Sequence, residues 1–111
     1  MPKHRSRIGD LRDRLVLEYA KHTPDGAGGH TTSWASLADV WADITTRSGH
    51  ESIDAGGIKG RLTHDIVVRP RFEITPSRRF RFNARLFHIH AVHALDNRGW
   101  RAMCLCEELN L

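Results

Sequence analysis

Hydrophobic and polar positions alternate with a period of two along most of this chain. This pattern indicates β-strands, because successive side chains of a strand point to opposite faces. The first alternating stretch covers about residues 13–21, where Leu15, Leu17 and Tyr19 fall on one face. Period-two alternation dominates over helical spacing, so the pattern predicts an all-β protein. Five further extended segments follow, over about residues 34–44, 61–69, 80–82, 86–95 and 100–107.

Turn residues separate most of these segments. Pro24-Asp-Gly-Ala-Gly-Gly29 and Asp96-Asn-Arg-Gly99 are strong turn signals, since glycine adopts positive φ without steric cost. Asn83-Ala84 predicts a tight reversal, and Pro70 and Pro76 bracket a connection because proline cannot donate a hydrogen bond to a sheet. Six short strands joined in this way predict a small antiparallel six-stranded β-barrel, sandwich-like, with at most one short helix.

Residues 48–60 fit none of these strands, because they hold four glycines and little apolar surface. They predict a long, flexible, projecting loop with room for one helical turn at residues 52–55. Structureless loops of this length are uncommon in compact domains and tend to be functional, although a plain surface loop is the alternative. The candidate functional positions in this loop are Ser48, Gly49, His50, Glu51, Gly56, Gly57, Lys59 and Gly60.

The chain length of 111 residues predicts a single domain over residues 1–111, with a basic N-terminal arm at residues 1–8. No apolar run approaches the roughly 20 residues of a membrane helix. The apolar segment of a secretion signal does not follow the basic N-terminus. We therefore expect no membrane partner, and assembly in the cytoplasm, where the two cysteines stay reduced.

Charge is unevenly distributed along the sequence. The net charge is +4, and 14 of the 17 basic residues are arginine. Residues 61–85 hold seven arginines against two acids, whereas residues 39–54 hold four acids against one arginine. This asymmetry favours a polyanion or an acidic protein face as a partner. An ordinary solvated charged surface explains it equally well.

Three of the eight histidines, His88, His90 and His93, fall within one predicted strand, and both cysteines, Cys104 and Cys106, fall within the next. Strict alternation places His88 and His90 on one face and His93 on the other. A zinc site needs three or four ligands that converge on one point. We therefore expect no metal ligands here, and cysteines that act as small core residues.

The register of the hairpin over residues 86–107 stays open. A two-residue turn at Asn97-Arg98 places His88 opposite Glu107. A bulge at Gly99 instead shifts the register by one residue, so that His90 lies beside Cys106.

Motifs typical of catalysis and phosphate binding are absent from the sequence. It contains no Gly-x-Ser-x-Gly, no Gly-x-x-x-x-Gly-Lys-Ser/Thr and no His-Glu-x-x-His. No pair of carboxylates has the spacing of an acid–base couple. We therefore expect a protein that is not an enzyme and uses no cofactor.

Short motifs follow one another in a characteristic order from Ile8 to about Glu107. They are Ile8-Gly-Asp-Leu-Arg-Asp-Arg14, Asp25-Gly-Ala-Gly-Gly29, Thr32-Ser-Trp34, Leu37-Ala-Asp-Val-Trp-Ala-Asp-Ile44, Ser48-Gly-His-Glu51, His64-Asp-Ile-Val-Val-Arg69, Ile74-Thr-Pro76 before Arg79-Phe80, and Arg85-Leu-Phe-His-Ile-His-Ala-Val92. In this order they resemble the head-tail joining, or head-completion, proteins of long-tailed bacteriophages and of related gene-transfer-agent particles. Asn83-Ala84 departs from the glycine that such proteins usually carry there. Gly56-Gly57-Ile-Lys-Gly60 departs from their alanine- and glutamate-rich piece.

The resemblance implies a structural β-barrel that forms a homo-oligomeric ring beneath the portal of a DNA-filled head. Its implied partners are a portal or adaptor ring and a tail terminator or tail tube protein, with double-stranded DNA passing through the channel. The implied location is the neck of a virion or phage-like particle, assembled in the bacterial cytoplasm. In such a ring, the loop of residues 48–60 would project inward from every subunit and narrow the channel.

The predicted partner contacts are one tryptophan and a group of arginines. Trp41 lies on the strand face opposite Val40 and Ala42, so a subunit contact would bury its indole, although a core position is the alternative. The arginines could meet an acidic neighbouring ring or passing DNA, and we expect most of them to face protein, because tight phosphate binding would impede DNA ejection. They are Arg69, Arg71, Arg78, Arg79, Arg81 and Arg85.

A second interpretation is a small nucleic-acid-binding β-barrel, in which exposed aromatic residues lie among basic ones on one face. Phe80 and Phe82 beside Arg79 and Arg81 give a faint version of that pattern. Alternation places the two phenylalanines and the two arginines on opposite faces, which disfavours this interpretation.

Overall fold

Each of the six predicted extended segments forms a strand. The structure, a computed structural model, describes residues 11–55, 58–71 and 73–109, and only the backbone of residues 48–60. Every neighbouring pair is antiparallel, and the sheet closes on itself in the order β1-β2-β3-β6-β5-β4. The all-β prediction is confirmed, and the described residues contain no helix. The strands are β1 (Asp13–Pro24), β2 (His30–Ala55), β3 (Ile58–Val68), β4 (Arg79–Phe82), β5 (Arg85–Ala94) and β6 (Ala102–Leu109).

The core fills the inside of the closed sheet, as period-two alternation dictates. Phe80 and Phe87 are the largest fully buried side chains, and burying such a side chain contributes about 1.5–3 kcal/mol. Ile74, in the connection between β3 and β4, also packs into this core. The buried cluster comprises Leu15, Leu17, Val40, Ala42, Ile66, Val68, Ile74, Phe80, Phe87, Ile89, Ala102, Cys104 and Cys106.

Strand β2 is long enough to pair with two partners in succession. Its first half, His30 to Ala42, pairs with β1, and its second half, Ala42 to Ala55, pairs with β3. The closing contact between β1 and β4 involves only Val16 to Glu18. Two hairpins therefore extend from opposite ends of the closed sheet: a first arm (residues 19–24 and 30–35) and a second arm (residues 51–55 and 58–62).

The prediction of a flexible loop at residues 48–60 is wrong for the described backbone. β2 continues to Ala55 and β3 begins at Ile58, with Glu51 facing Leu62 and Ala55 facing Ile58. The ladder is irregular between Thr46 and Glu51. Hydrogen bonds to β3 outweigh the weak strand preference of a glycine-rich segment, since β-propensity depends strongly on context. Gly56, Gly57 and the predicted N-terminal arm of residues 1–8 lie outside the described residues.

The predicted reversals at Asn83-Ala84 and residues 24–29 are confirmed. Asn83 adopts a φ of +56°, which asparagine tolerates better than most residues, and this allows Phe82 to pair with Arg85. In the turn after β1, the Asp25 Oδ1 atom accepts hydrogen bonds from the amides of Ala27 at 2.8 Å and Gly29 at 3.0 Å. These bonds lower the pKa of the Asp25 carboxyl below its ordinary value.

The hairpin of β5 and β6 combines both registers that the sequence left open. Near its turn Ala94 faces Ala102, which is the shifted register, but beyond a bulge His88 faces Glu107. The bulge falls at His90, between Ile89 and Ala91. Because an extra residue reverses the alternation, Val92 packs against the core. The prediction that His93 lies on the face opposite His88 and His90 is therefore wrong.

Candidate functional site

Two of the predicted partner-contact arginines form an ion cluster on the outer face of the closed sheet. The Nε atoms of Arg79 and Arg81 in β4 lie 2.7 Å and 2.9 Å from the two carboxylate oxygens of Glu18 in β1. Only 6% of Glu18 is exposed. Burial alone would raise the pKa of this carboxyl. Hydrogen bonds from Arg81 and Arg79, together with their charges, outweigh burial and lower it.

Trp34 stacks on this cluster from the first arm. The guanidinium carbon of Arg79 lies 4.1 Å from the centroid of the Trp34 ring. Such a cation–π contact, at a half-buried indole, holds the arm against the outer face of β4. Trp34 therefore supports the shape of this chain rather than presenting a free anchor.

The remaining paired arginines also contact their own chain. Arg85 binds Glu108 through two hydrogen bonds of 2.9 Å and 3.0 Å. Arg71 lies 3.0 Å from a carboxylate oxygen of Glu73, and Arg78 donates to the backbone carbonyl of that same residue. About 40–45% of the Arg71, Arg81 and Arg85 side chains is still exposed, so a partner can reach them. Their role at an interface stays a prediction.

Trp41 is exposed on the outer face of β2, and the alternative core position is excluded. It is 57% exposed and faces Arg14, which forms a 2.6 Å ion pair with Asp39. Leu37, extruded by a bulge where β1 shifts register, is 39% exposed on the same strand. Arg69 is exposed and follows β3 directly after Val68. Trp41 and Arg69 thus lie at the same end of the closed sheet, near the first arm.

This half of β2 also has an open hydrogen-bonding edge. Residues 30–41 pair with β1 on one side, and no described strand pairs with their other side. Unpaired strand edges readily accept a strand from another chain. Trp41 therefore combines an exposed indole with an adjacent free edge.

The described histidines and cysteines form no group that could hold a metal ion. No group of three or more metal-ligating side chains that could hold a metal ion occurs in the described parts of the chain. The His90 ring donates a 2.9 Å hydrogen bond to Glu107. Burial lowers the pKa of His88, the electrostatic effect of the neighbouring His90 ring lowers it further, and Glu107 opposes both effects.

The two cysteines are core residues, as predicted. Both are fully buried and neither forms a disulfide. Burial raises the pKa of the Cys104 thiol to about 12, and raises that of Cys106 well above its ordinary value. Thiols of this kind remain protonated and are poor nucleophiles.

Sequence reasoning missed one exposed anchor, Trp100. It is 58% exposed on the turn between β5 and β6, and the Arg98 guanidinium lies 5.5 Å from its ring centroid. The available signal was its position directly after the Asp96-Asn-Arg-Gly99 turn, where a large apolar residue has no strand face to bury it.

These features define an all-β structural protein whose exposed indoles and arginines suit contact with other proteins. No helix in the described segments is long and apolar enough to cross a membrane. The sequence model of the phage head completion proteins matches residues 6–109. The chain belongs to this family, whose members are structural components of the virion and not enzymes.

A solved structure agrees with this assignment. A chain from the virion of a native gene transfer agent (GTA) particle is 35% identical, with a TM-score of 0.68. The match covers 95% of this chain and 98% of that chain. No curated protein matches this chain.

Proposed function

We propose that this chain is a head-closure component of the connector in a long-tailed phage or phage-like particle. Copies form a ring beneath the portal, extend and close the DNA channel, and join the tail. The observation that carries the proposal is the family match over residues 6–109, supported by the similar chain in a gene-transfer-agent virion. The partners are a portal or adaptor ring on one side and a tail terminator or tail tube protein on the other.

The outer face of β2 is the proposed contact between subunits of the ring. Residues 30–41 have no described strand partner on the side away from β1, so this edge is available for association. Trp41 lies beside that edge with 57% of its surface in water. A neighbouring subunit would bury the indole and, at the same time, form backbone hydrogen bonds with the unpaired edge of β2.

The second arm is the proposed channel element, in place of a flexible loop. A hairpin that projects from one end of every subunit can narrow a channel that no single copy would obstruct. Its pairing, from Glu51–Leu62 to Ala55–Ile58, keeps the tip at a defined distance from the closed sheet. The candidate channel residues remain the ones proposed from the sequence: Ser48, Gly49, His50, Glu51, Gly56, Gly57, Lys59 and Gly60.

The phenylalanines on which the alternative of a nucleic-acid-binding barrel was based are not available to bases. Phe80 is fully buried and Phe82 packs against the core, so neither ring offers a stacking face for bases. Arg79 and Arg81 already bind Glu18. This region therefore supplies neither the exposed aromatic rings nor the uncommitted basic side chains that nucleic-acid-binding barrels combine.

Particles produced without this chain test the proposed function. Electron microscopy should show heads that package DNA, then lose it and fail to gain tails. Reintroducing the gene on a plasmid should restore full, tailed particles. Normal tailed particles in the absence of the chain would exclude a head-closure role.

Trp41→Ala tests the proposed ring contact. The monomer should keep its circular dichroism spectrum because the indole lies outside the core, but the chain should disappear from purified particles as judged by mass spectrometry. Ring assembly of the purified chain should also be lost in Trp41→Ala but kept in Trp100→Ala, which removes an equally exposed indole from the turn between β5 and β6. A Trp41→Ala monomer that unfolds, or one that enters particles at the normal level, would contradict the assignment.

A further inference from the structure

The turn between β5 and β6 holds its residues in a rigid frame. The Asp96 Oδ1 atom accepts hydrogen bonds from the amides of Arg98 and Trp100, both at 3.0 Å, and these bonds lower the pKa of the carboxyl. Gly99 supplies the positive φ of +71° that the turn requires. The Leu95 amide closes the frame with a 2.9 Å bond to the carbonyl of Arg101. This turn loses little further conformational freedom when it binds a partner.

The frame displays a tryptophan and an arginine together. Trp100 is the most exposed large hydrophobic side chain among the described residues, and Arg98 lies over its ring. Tryptophan and arginine are the residue types that most often dominate binding energy at protein interfaces. An indole of this exposure lies outside the core and stays available for contact with another molecule.

The surroundings of the turn select an acidic partner. Ala42, Val68 and Ala102 face one another in neighbouring strands, so Arg69 and the Asp96–Trp100 turn lie at the same end of the closed sheet. Arg69 and Arg98 are exposed there. The only acid in the turn, Asp96, is occupied by the turn amides and lies 3.9 Å from Arg101. The turn and Arg69 therefore place two exposed arginines beside an apolar anchor.

A second copy of this chain is a poor occupant. The acids described near the opposite end are already paired: Asp65 with Arg47 at 2.6 Å, Glu107 with His90 at 2.9 Å, and Glu108 with Arg85 at 2.9 Å. Duplex DNA is a poor occupant as well, because it offers no apolar pocket unless a base step is unstacked at a cost of about a few kcal/mol.

We propose that the Asp96–Trp100 turn docks this chain onto a different protein of the particle, in an apolar pocket rimmed by aspartate or glutamate. That the partner is a particle protein rests on the proposed function, whereas the chemistry of the contact follows from the residues of the turn. The indole fills the pocket, and Arg98 and Arg69 face the acidic rim.

Photo-cross-linking in native particles tests this docking. Replacing Trp100 with p-benzoylphenylalanine keeps an aromatic group at the anchor, and irradiation of purified particles should link it to one other particle protein. Mass spectrometry should place the linked site among apolar residues flanked by aspartate or glutamate. The same amino acid in place of Ala84, exposed on the turn at the opposite end, should not give that product. Linkage to another copy of this chain, to DNA, or to nothing would overturn the proposal.

A charge variant in the same background tests the acidic rim. Arg98→Glu should lower the yield of that cross-link at least about tenfold, because like charges across an interface cost several kcal/mol. An unchanged yield would reject an acidic partner. Mass spectrometry of the whole particle separates the two proposals. Absence of the unsubstituted chain from particles would overturn the proposed function, and a substituted chain that is present but unlinked would overturn the docking alone.

Discussion

Glu18 shows how one residue can secure the closure of the sheet. Only three residue pairs join β1 to β4, the fewest between any two neighbouring strands; four join β4 to β5 and five join β3 to β6. At one end of this short contact, Glu18 binds Arg79 directly opposite and Arg81 diagonally. A buried carboxylate that lacks its arginines costs several kcal/mol, so the cluster favours the closed arrangement over an open sheet.

Glu18→Gln should lower the free energy of unfolding by about 1.5–3 kcal/mol, because the amide loses two charge-assisted hydrogen bonds. Asp39→Asn is a matched control, since it breaks the Arg14–Asp39 pair, whose two side chains are 64% and 52% exposed. That loss should stay below about 1 kcal/mol. Urea denaturation of the purified variants near neutral pH measures both values. Equal losses would mean that the buried cluster contributes no more than a surface ion pair.

The same variant should change how stability depends on pH. The pKa of Glu18 is lower in the folded protein than its ordinary value of 4.5. Its contribution is therefore complete above the unfolded pKa and is lost as the pH falls through the folded pKa. Wild-type stability should decline in this acidic range, and Glu18→Gln should decline less steeply. Parallel pH profiles for the two proteins would contradict this assignment.

At the scale of strands, the bulge at His90 decides which side chains reach the core. Without it, one register would hold along the whole hairpin, and Val92 would leave the core face. The extra residue lets Phe87 and Ile89 on one side of the bulge, and Val92 on the other, point inward. The sequence signal for this arrangement is weak, because His90 carries no turn residue beside it.

Deleting His90 should therefore preserve the fold. Ile89 and Ala91, which already face Cys106 and Leu105, would become consecutive residues, so the ladder would be continuous. The lost hydrogen bond to Glu107 would cost about 1 kcal/mol. Deleting Val67 is the control, because it lies in the bulge-free pairing of β3 with β6 and its loss moves Ile66 or Val68 off the core face. Near-ultraviolet circular dichroism should show a folded His90 deletion and an unfolded Val67 deletion. The reverse result would refute the assignment of the bulge.

Local patterning predicted most strands but could not predict the second arm. Leu15 and Leu17, and likewise Cys104 and Cys106, are buried residues separated by one residue of the opposite face. This spacing is visible in the sequence and predicts a strand. Residues 48–60 contain no such alternation, and their strands form through pairing with each other. Trp41 was recognised because its neighbours Val40 and Ala42 fixed the opposite face. Trp100 had no strand face to reveal it.

At the scale of the whole molecule, closure of the sheet leaves two projections for function. The principal-axis extents of 51 × 28 × 28 Å describe an elongated body. β2 continues from the first arm through the sheet into the second. Because β2 is shared, the positions of the two arms are fixed relative to one core. A ring built from such subunits would carry two distinct sets of hairpins. Because both arms lie outside the closed sheet, either arm can be shortened while the sheet stays intact.

Shortening the second arm should uncouple folding from DNA retention if the proposed function is correct. Replacing residues 52–61 with Asn-Gly joins Glu51 to Leu62, which already face each other, through a turn suited to a two-residue hairpin. No residue of the core cluster is removed, so the free energy of unfolding should change by less than about 1 kcal/mol. Particles should contain the variant but release their DNA. The measurement is the loss of nuclease-protected DNA from purified heads.

The matched control replaces residues 22–32 with Asn-Gly, joining Lys21 to Ser33 in the first arm. It keeps residues 33–41 of the proposed subunit edge, with Trp41, and should retain DNA. The two variants lack a hairpin at opposite ends of the molecule. Equal DNA retention by both would therefore show that the second arm does not close the channel.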